Sequence, residues 1–161
     1  MSRFASDTSV SAERSETEIK RTLVRYGADD IVSGQSSRLN QAFVQFQFKG
    51  LPVEVRIPLP NAMDKRFTQT PGRGRKRDAG AARTEWEKAC RQQWRVLLLL
   101  IKAQLEAVEN KLMKPEEAFL PWLRLPDGRT MITALQSAIP QLLSERGDVR
   151  KYLPFPAGGG Q

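Results

Sequence analysis

The chain has 161 residues, of which 26 are Lys or Arg and 18 are Asp or Glu, so its formal charge is +8. It contains no histidine and one cysteine, which excludes Ser-His-Asp and Cys-His catalysis, imidazole-bound metals, internal disulfides and Cys/His zinc sites. Carboxylate, lysine or hydroxyl chemistry remains, or binding without chemistry. The length fits one domain, and the positive charge favours a polyanionic partner such as nucleic acid.

The sequence predicts a cytoplasmic protein that does not enter a membrane. The first sixteen residues are polar and rich in serine, without the apolar segment of a secretory signal. The longest apolar run, residues 96–101, is much shorter than the roughly 20 residues that a transmembrane helix needs. A single cysteine is compatible with a reducing compartment.

The N-terminal part of the chain predicts a tail followed by a short amphipathic helix. Residues 1–14 contain too few apolar groups to offset the entropy of ordering, so we expect a disordered tail. Ser15 is the predicted helix cap, and Ile19 and Leu23 share the apolar face. Gly27 supplies the end of this helix.

A small antiparallel sheet is predicted next. Residues 31–36 are a weak strand candidate, whereas residues 42–49 and 53–59 alternate apolar and polar side chains with the period of a strand. A turn at residues 50–52 joins the last two strands into a β-hairpin whose apolar side chains share one face. The opposite, wet face carries Phe43, Gln45, Gln47, Glu54 and Arg56.

Residues 61–83 are predicted to form a flexible basic loop. The loop has two acidic residues and the following basic ones: Lys65, Arg66, Arg73, Arg75, Lys76, Arg77 and Arg83. Its net charge of +5 is more than half of the surplus of the chain. We interpret the cluster as phosphate-binding, because such groups release counterions from a nucleic-acid backbone. A solvated loop without a ligand and a nuclear localisation signal are the alternatives.

Residues 84–113 predict one helix about 45 Å long, capped by Thr84. Apolar side chains recur at steps of three and four, and Trp86 and Trp94 are expected in the core. A second stripe on the helix is basic and contains Lys88, Arg91, Arg95 and Lys102. Residues 96–101 are apolar almost all round, which predicts burial by the sheet and by a neighbouring subunit.

The C-terminal part predicts small helices. One begins at Pro115, a tight turn occupies residues 125–130, and a further helix with a proline interruption covers residues 131–143. Residues 153–161 are expected to form a flexible tail. The predicted architecture is a single α+β domain over residues 15–152, with a long helix packed on the sheet.

Twelve residues are predicted to bind nucleic acid. They are Phe43, Arg56, Lys65, Arg66, Arg73, Arg75, Lys76, Arg77, Arg83, Lys88, Arg91 and Arg95. Three aromatic residues, Tyr26, Phe43 and Phe67, either stack on exposed bases, at about 1–3 kcal/mol per base, or pack within the fold. Tyr26 is the one for which core packing is the better interpretation.

No catalytic residue, metal or cofactor is predicted. The chain lacks a Walker-type phosphate loop and a Gly-x-Gly-x-x-Gly motif, which argues against a nucleotide-driven motor. The alternative is a carboxylate-metal nuclease that uses Asp29, Asp30, Glu54 and Asp127. The order of these acids is scrambled, and the Asp-Gly pair at residue 127 is better explained as a turn.

Several stretches resemble small proteins of bacteriophages and prophages. They are Glu18-Ile-Lys-Arg-Thr-Leu-Val-Arg-Tyr-Gly-Ala-Asp with the following hairpin, the run Trp86-Glu-Lys-Ala-Cys-Arg-Gln-Gln-Trp and its continuation to residue 109, Phe119-Leu-Pro-Trp, and Leu125-Pro-Asp-Gly-Arg-Thr. The resemblance covers roughly residues 16–132. It implies a viral origin and a bacterial host cell.

The order of predicted elements also resembles the core of single-strand annealing proteins of the Red-beta and eukaryotic Rad type. That resemblance implies a homo-oligomeric ring or filament that holds single-stranded DNA in a basic groove without nucleotide hydrolysis. We therefore expect a phage-type single-stranded DNA (or RNA) binding protein that promotes annealing and recombination and is not an enzyme. The alternative is a protein-interaction or host-takeover factor with the basic loop as its docking arm.

Overall fold

The computed structural model describes residues 12–36 and 38–144, in which two helices cover one face of a three-stranded antiparallel sheet. The elements are α1 (Ala12–Arg25), β1 (Asp29–Ser36), β2 (Gln41–Phe48), β3 (Leu51–Pro58), α2 (Lys65–Thr68), α3 (Ala79–Glu109), α4 (Pro115–Phe119), a 3₁₀ turn (Leu120–Trp122), α5 (Met131–Leu135) and α6 (Ile139–Leu142). The predicted α+β class is confirmed. Residues 1–11 of the predicted N-terminal tail, and the predicted C-terminal tail, lie outside the described residues.

Helix α1 begins at Ala12, three residues before the predicted cap. Ser15 is therefore inside the helix and fully buried rather than capping its end. Ile19 and Leu23 are buried as predicted. The helix ends before Gly27, whose φ of +80° reverses the chain at little steric cost.

The predicted hairpin of β2 and β3 is confirmed, with Val44 opposite Val55 and Phe46 opposite Val53 on the buried face. The predicted position of its turn is wrong. The chain reverses at Lys49 and Gly50, and both have a positive φ. A two-residue turn of this kind matches the right-handed twist of the strands, which explains why β3 already starts at residue 51.

Helix α3 begins at residue 79, five residues before the predicted cap Thr84. Its cap is Asp78, whose carboxylate accepts hydrogen bonds from the backbone N–H groups of Gly80 (2.9 Å) and Ala81 (3.3 Å). The helix has 31 residues and is about 46 Å long. Among the described helices, none combines the length and apolar composition that crossing a membrane requires.

Half of the apolar run at residues 96–101 is buried inside the protomer. Leu97, Leu98 and Ile101 are about 99% buried in the core between α3, α1 and the sheet. Leu99 and Leu100 are half-buried, and Val96 is 39% exposed. The sheet and α1 thus account for half of the run without a second subunit.

Part of the segment predicted as a flexible loop, residues 61–83, forms a hydrogen-bonded hairpin. We call residues 68–77 the basic hairpin. The Thr70 N–H donates to the Arg75 carbonyl oxygen (2.8 Å), and the Gly74 N–H donates to the Thr70 carbonyl oxygen (3.2 Å). Together with α2 and the first turn of α3, these bonds give about half of the segment helical or paired backbone.

The C-terminal elements close the other side of the core. The ring of Phe119 in α4 is fully buried and meets Phe46 and Phe48 edge to face, with centroids 5.7 and 5.6 Å apart. The backbone N–H of Arg124 donates to the Pro52 carbonyl oxygen (2.8 Å), which joins this part of the chain to the edge of β3. The helix predicted over residues 131–143 is divided into α5 and α6.

Candidate nucleic-acid interface

The twelve predicted binding residues fall into three places in the fold. Around α2, the basic hairpin and the first turns of α3 lie Lys65, Arg66, Arg73, Arg75, Lys76, Arg77 and Arg83. On a second flank of α3 lie Lys88, Arg91 and Arg95. On the face of the sheet away from the helices, which we call the outer face, lie Phe43 and Arg56, directly opposite each other.

The basic hairpin presents cations that have no acidic partner. Arg73, Arg75 and Lys76 are exposed, and their side chains form neither ion pairs nor hydrogen bonds within residues 12–36 and 38–144. Lys65 in α2 is also exposed, and its side chain has no ion pair or hydrogen bond within the same residues. An anion that approaches these four groups displaces only water and counterions, so they are the cations best placed to bind phosphate.

Three other basic residues of this region have acidic partners, and two of them, Arg66 and Arg83, remain exposed. Their acidic partners are Asp64 for Arg66 (3.5 Å), Glu85 for Arg77 (4.0 Å) and Glu87 for Arg83 (2.9 Å). Arg77 is the most buried of the three and also donates to the Gln69 carbonyl oxygen (3.1 Å). All three pairs reduce the net positive charge of the segment, but only the pair of Arg77 with Glu85 links the basic hairpin to α3.

The basic stripe of α3 points in another direction. Arg95 lies 3.3 Å from Glu18 of α1, and the half-buried Arg91 has a buried Nε without a hydrogen-bond partner among the described residues. At about 100° per residue, Lys88 lies about 160° around the helix from Trp86, which borders the basic hairpin. The hairpin and the stripe therefore occupy different flanks of α3.

Two of the aromatic candidates are not free to stack on a base. Phe67 is 95% buried, and the Arg66 guanidinium lies 4.5 Å from its ring centroid. Tyr26 packs against the core, and its hydroxyl donates to Glu106, which raises the pKa of the phenol. Both residues thus have structural roles.

Phe43 keeps part of its ring accessible. Its Cε1 and Cζ lie 3.1 Å from the position that a Cβ at Gly34 would take, so the ring rests on the glycine of the neighbouring strand. The side chain is half-buried, and it lines a depression on the outer face together with Leu39 and Arg56. The packing and the stacking interpretations of Phe43 are therefore compatible.

The outer face was predicted to be wet, and this is wrong at Glu54, which is about 99% buried. Gln45 Nε2 donates to its carboxylate (2.7 Å), Arg56 donates through Nε, and Arg124 lies 3.8 Å away. These three side chains surround the carboxylate and offset the cost of removing its charge from water. The charge of Arg56 is correspondingly offset.

Replacing Arg56 with methionine is expected to lower the free energy of unfolding by about 2 kcal/mol, because buried Glu54 loses a charged donor. Urea denaturation measures the change. The matched variant is the double replacement of Glu54 and Arg56 with methionine, which should be more stable than the sum of the single changes predicts. Strictly additive losses would show that the pair does not interact.

The acids of the nuclease alternative do not form a metal site. Within the described ranges, no group of three or more Asp, Glu, Cys or His side chains could hold a metal ion. The carboxylate of Glu54 is paired with Arg56 and Arg124. Asp127 accepts a hydrogen bond from the Arg129 side chain (2.9 Å), which lowers the pKa of Asp127. Asp127 belongs to the predicted turn, where the Gly128 N–H donates to the Leu125 carbonyl oxygen.

Trp86 was predicted in the core, and its position at the surface is the main feature that the sequence did not reveal. Trp94 is 99% buried as predicted, but Trp86 is only half-buried and borders two depressions. Its Nε1 donates to the Pro60 carbonyl oxygen (2.8 Å), which holds the ring in place. Helical spacing cannot distinguish the two tryptophans, because both lie on the same stripe.

Comparisons with protein-family models, with curated proteins and with solved structures return no match for this chain. The chemistry of the residues at the interface therefore carries the functional interpretation.

Proposed function

We propose that this protein binds single-stranded nucleic acid, with the basic hairpin as the main contact to the phosphate backbone. The observation that carries the proposal is the exposure of Arg73, Arg75 and Lys76 without acidic partners among the described residues. Each such group can replace a condensed counterion at a phosphate, and the surplus of +8 attracts a polyanion from a distance.

Partly accessible aromatic rings favour a single strand over a duplex. Phe43 and Trp86 are both half-buried and both border depressions in the surface. Stacking on such rings needs bases that are not already stacked in a double helix. The combination of free cations and accessible rings is typical of proteins that bind single strands with little sequence preference.

The proposal extends to the origin and the assembly of the protein. We propose a phage protein that forms a homo-oligomer and anneals complementary strands in the cytoplasm of a bacterial cell. The similarity in the order of elements to annealing proteins supports this part. A further support is one flank of α3 beside the core, where half-buried and exposed side chains recur at steps of four and three: Ala89, Gln93, Val96, Leu100, Ala103 and Ala107. Such a repeat suits helix pairing between protomers.

The test of binding uses the wild-type protein and a labelled oligothymidylate, measured by fluorescence anisotropy over a series of salt concentrations. Three or more phosphate contacts predict that the logarithm of the affinity falls with the logarithm of salt with a slope of about −2 or steeper. A duplex of the same length should bind more weakly. Absence of binding at low salt would contradict the proposal and favour an acidic protein as the partner of the basic hairpin.

Light scattering with and without the oligonucleotide tests the oligomer. A particle mass above that of one protomer, together with faster annealing of complementary labelled strands in the absence of nucleotide, is the expected result. A protein that stays monomeric on the strand would contradict the oligomer but leave strand binding intact.

A further inference from the structure

Three adjoining depressions connect the basic hairpin with the outer face of the sheet. The first has a volume of about 470 Å³ and contains Met63, Ala82 and Trp86 in its wall. The second, of about 280 Å³, shares Trp86 with the first and shares Ser36 with the third. The third, of about 200 Å³, contains Phe43. We call this row of depressions the edge groove.

The lining of the first depression is complementary to a nucleotide, because it combines an apolar wall with basic side chains. Its apolar wall includes the ring of Trp86 and the side chain of Met63, which is 78% exposed. Lys76, Arg77 and Arg83 also line it, so a flat apolar group and an anion can be bound side by side. Its volume lies within the range of roughly 300–1,000 Å³ that is usual for ligand sites.

The middle depression offers hydrogen-bond donors. The Oδ1 atom of Asn61 accepts from the Met63 N–H (2.9 Å), which leaves the side-chain N–H groups of Asn61 free to donate. The side-chain amide of Asn40 has no hydrogen-bond partner in the described part of the chain. Amide N–H groups of this kind commonly contact phosphate and sugar oxygens, which carry no sequence information.

The two ends of the edge groove repeat one pattern, an aromatic ring beside a cation. Trp86 lies with the unpaired Lys76 and with Arg83, whose partner is Glu87, at one end, and Phe43 lies with Arg56, whose partner is Glu54, at the other. Between them the wall is polar and uncharged on its Ser36 and Asn40 side. The acidic residues Glu85 and Glu87 are not among the residues that line the three depressions.

We propose that a single strand lies along the edge groove with unstacked bases against Trp86 and Phe43 and with its backbone toward the neighbouring cations. This inference rests on the proposed function and assigns the base-contacting part of the site. The Trp86 ring is the principal base contact, because its hydrogen bond to the Pro60 carbonyl oxygen orients it before the strand arrives.

The steric test is Ala82→Leu, which fills the first depression with a residue that favours helices. The control is Ala81→Leu, because Ala81 is exposed and does not line the groove. The probes are an oligothymidylate and an abasic deoxyribose-phosphate strand of the same length. Wild-type protein and Ala81→Leu should prefer the oligothymidylate about tenfold or more, since each stacked base adds affinity. Ala82→Leu should lose most of this preference and bind the abasic strand as wild type does.

Tryptophan fluorescence gives a second measurement, for which no residue of the edge groove is replaced. Oligothymidylate should quench the emission of wild type and of Trp122→Phe, whereas the abasic strand should leave it nearly unchanged. Equal binding of both strands by wild type, or equal behaviour of the two leucine variants, would overturn the edge groove while strand binding stands. Failure of both strands to bind would overturn the proposed function itself.

Discussion

Replacing Arg73, Arg75 and Lys76 together with glutamine is expected to weaken binding of a single-stranded oligonucleotide about 100-fold at roughly 0.1 M salt. Each phosphate contact contributes about 0.7 to the exponent of the salt dependence, so three contacts contribute about 2. The slope should therefore become shallower by the same amount. Anisotropy titrations over a salt series measure both quantities, and circular dichroism should show an unchanged fold because the three side chains are exposed.

The control removes the same number of charges at the other end of α3. Lys49, Lys111 and Lys114 line a separate depression of about 390 Å³. Asparagine is the suitable replacement at Lys49 and Lys111, whose φ angles are 49° and 58°, and glutamine serves at Lys114. An equal loss of affinity in this variant would show that overall charge, rather than the basic hairpin, decides binding. An unchanged affinity in the hairpin variant would exclude the hairpin as the site.

Phe119→Ala is expected to lower the free energy of unfolding by about 4 kcal/mol, a factor of about 1,000 in the folding equilibrium. The side chain is fully buried, and its ring fills the space between Phe46 and Phe48. A cavity would remain there, because the two strand residues are held by the sheet register and cannot close it. Urea denaturation measures the change.

The neighbouring variant Leu120→Ala is the control, since Leu120 is 50% exposed and should cost less than about 1 kcal/mol. A similar small loss for Phe119→Ala would mean that α4 does not complete the core. One cooperative transition in both variants is expected, because the sheet and the C-terminal elements share this core.

The binding mode proposed for the edge groove is compatible with strand annealing. Stacking on Trp86 and Phe43 uses the faces of the bases, and the amide N–H groups of Asn40 and Asn61 suit phosphate and sugar oxygens. The Watson–Crick edges then stay open to a complementary strand. An annealing assay with Ala82→Leu should accordingly be slower than with Ala81→Leu.

The elements that the sequence predicts well are those with a strong local period. Alternation over residues 42–49 and 53–59 is sufficient to pair β2 with β3 and to assign their buried face. The turn between them is shifted because strand twist, rather than residue preference alone, selects two consecutive residues with positive φ. The start of α3 was missed because Gly80 suggests a loop, although Asp78 caps the helix.

The predicted binding residues show the same difference between what the sequence reveals and what it does not. The charge of residues 61–83 is visible in the sequence, and so is their concentration before a long helix. Composition does not reveal the backbone hydrogen bonds, such as the one from Thr70 to Arg75, that shape the basic hairpin. Glycine and arginine content therefore suggested a flexible loop where a turn and paired backbone are present.

By itself, the sequence determined the α+β class, the hairpin and the place of the excess charge, because each depends on residues close together along the chain. The tertiary structure decided which cations lack partners and which ring borders a groove. Arg95 is paired with Glu18, 77 positions away, and Trp86 is held by Pro60, 26 positions away. Periodicity assigns side chains to a common face of an element, whereas the neighbour opposite that face is set only when distant segments pack together.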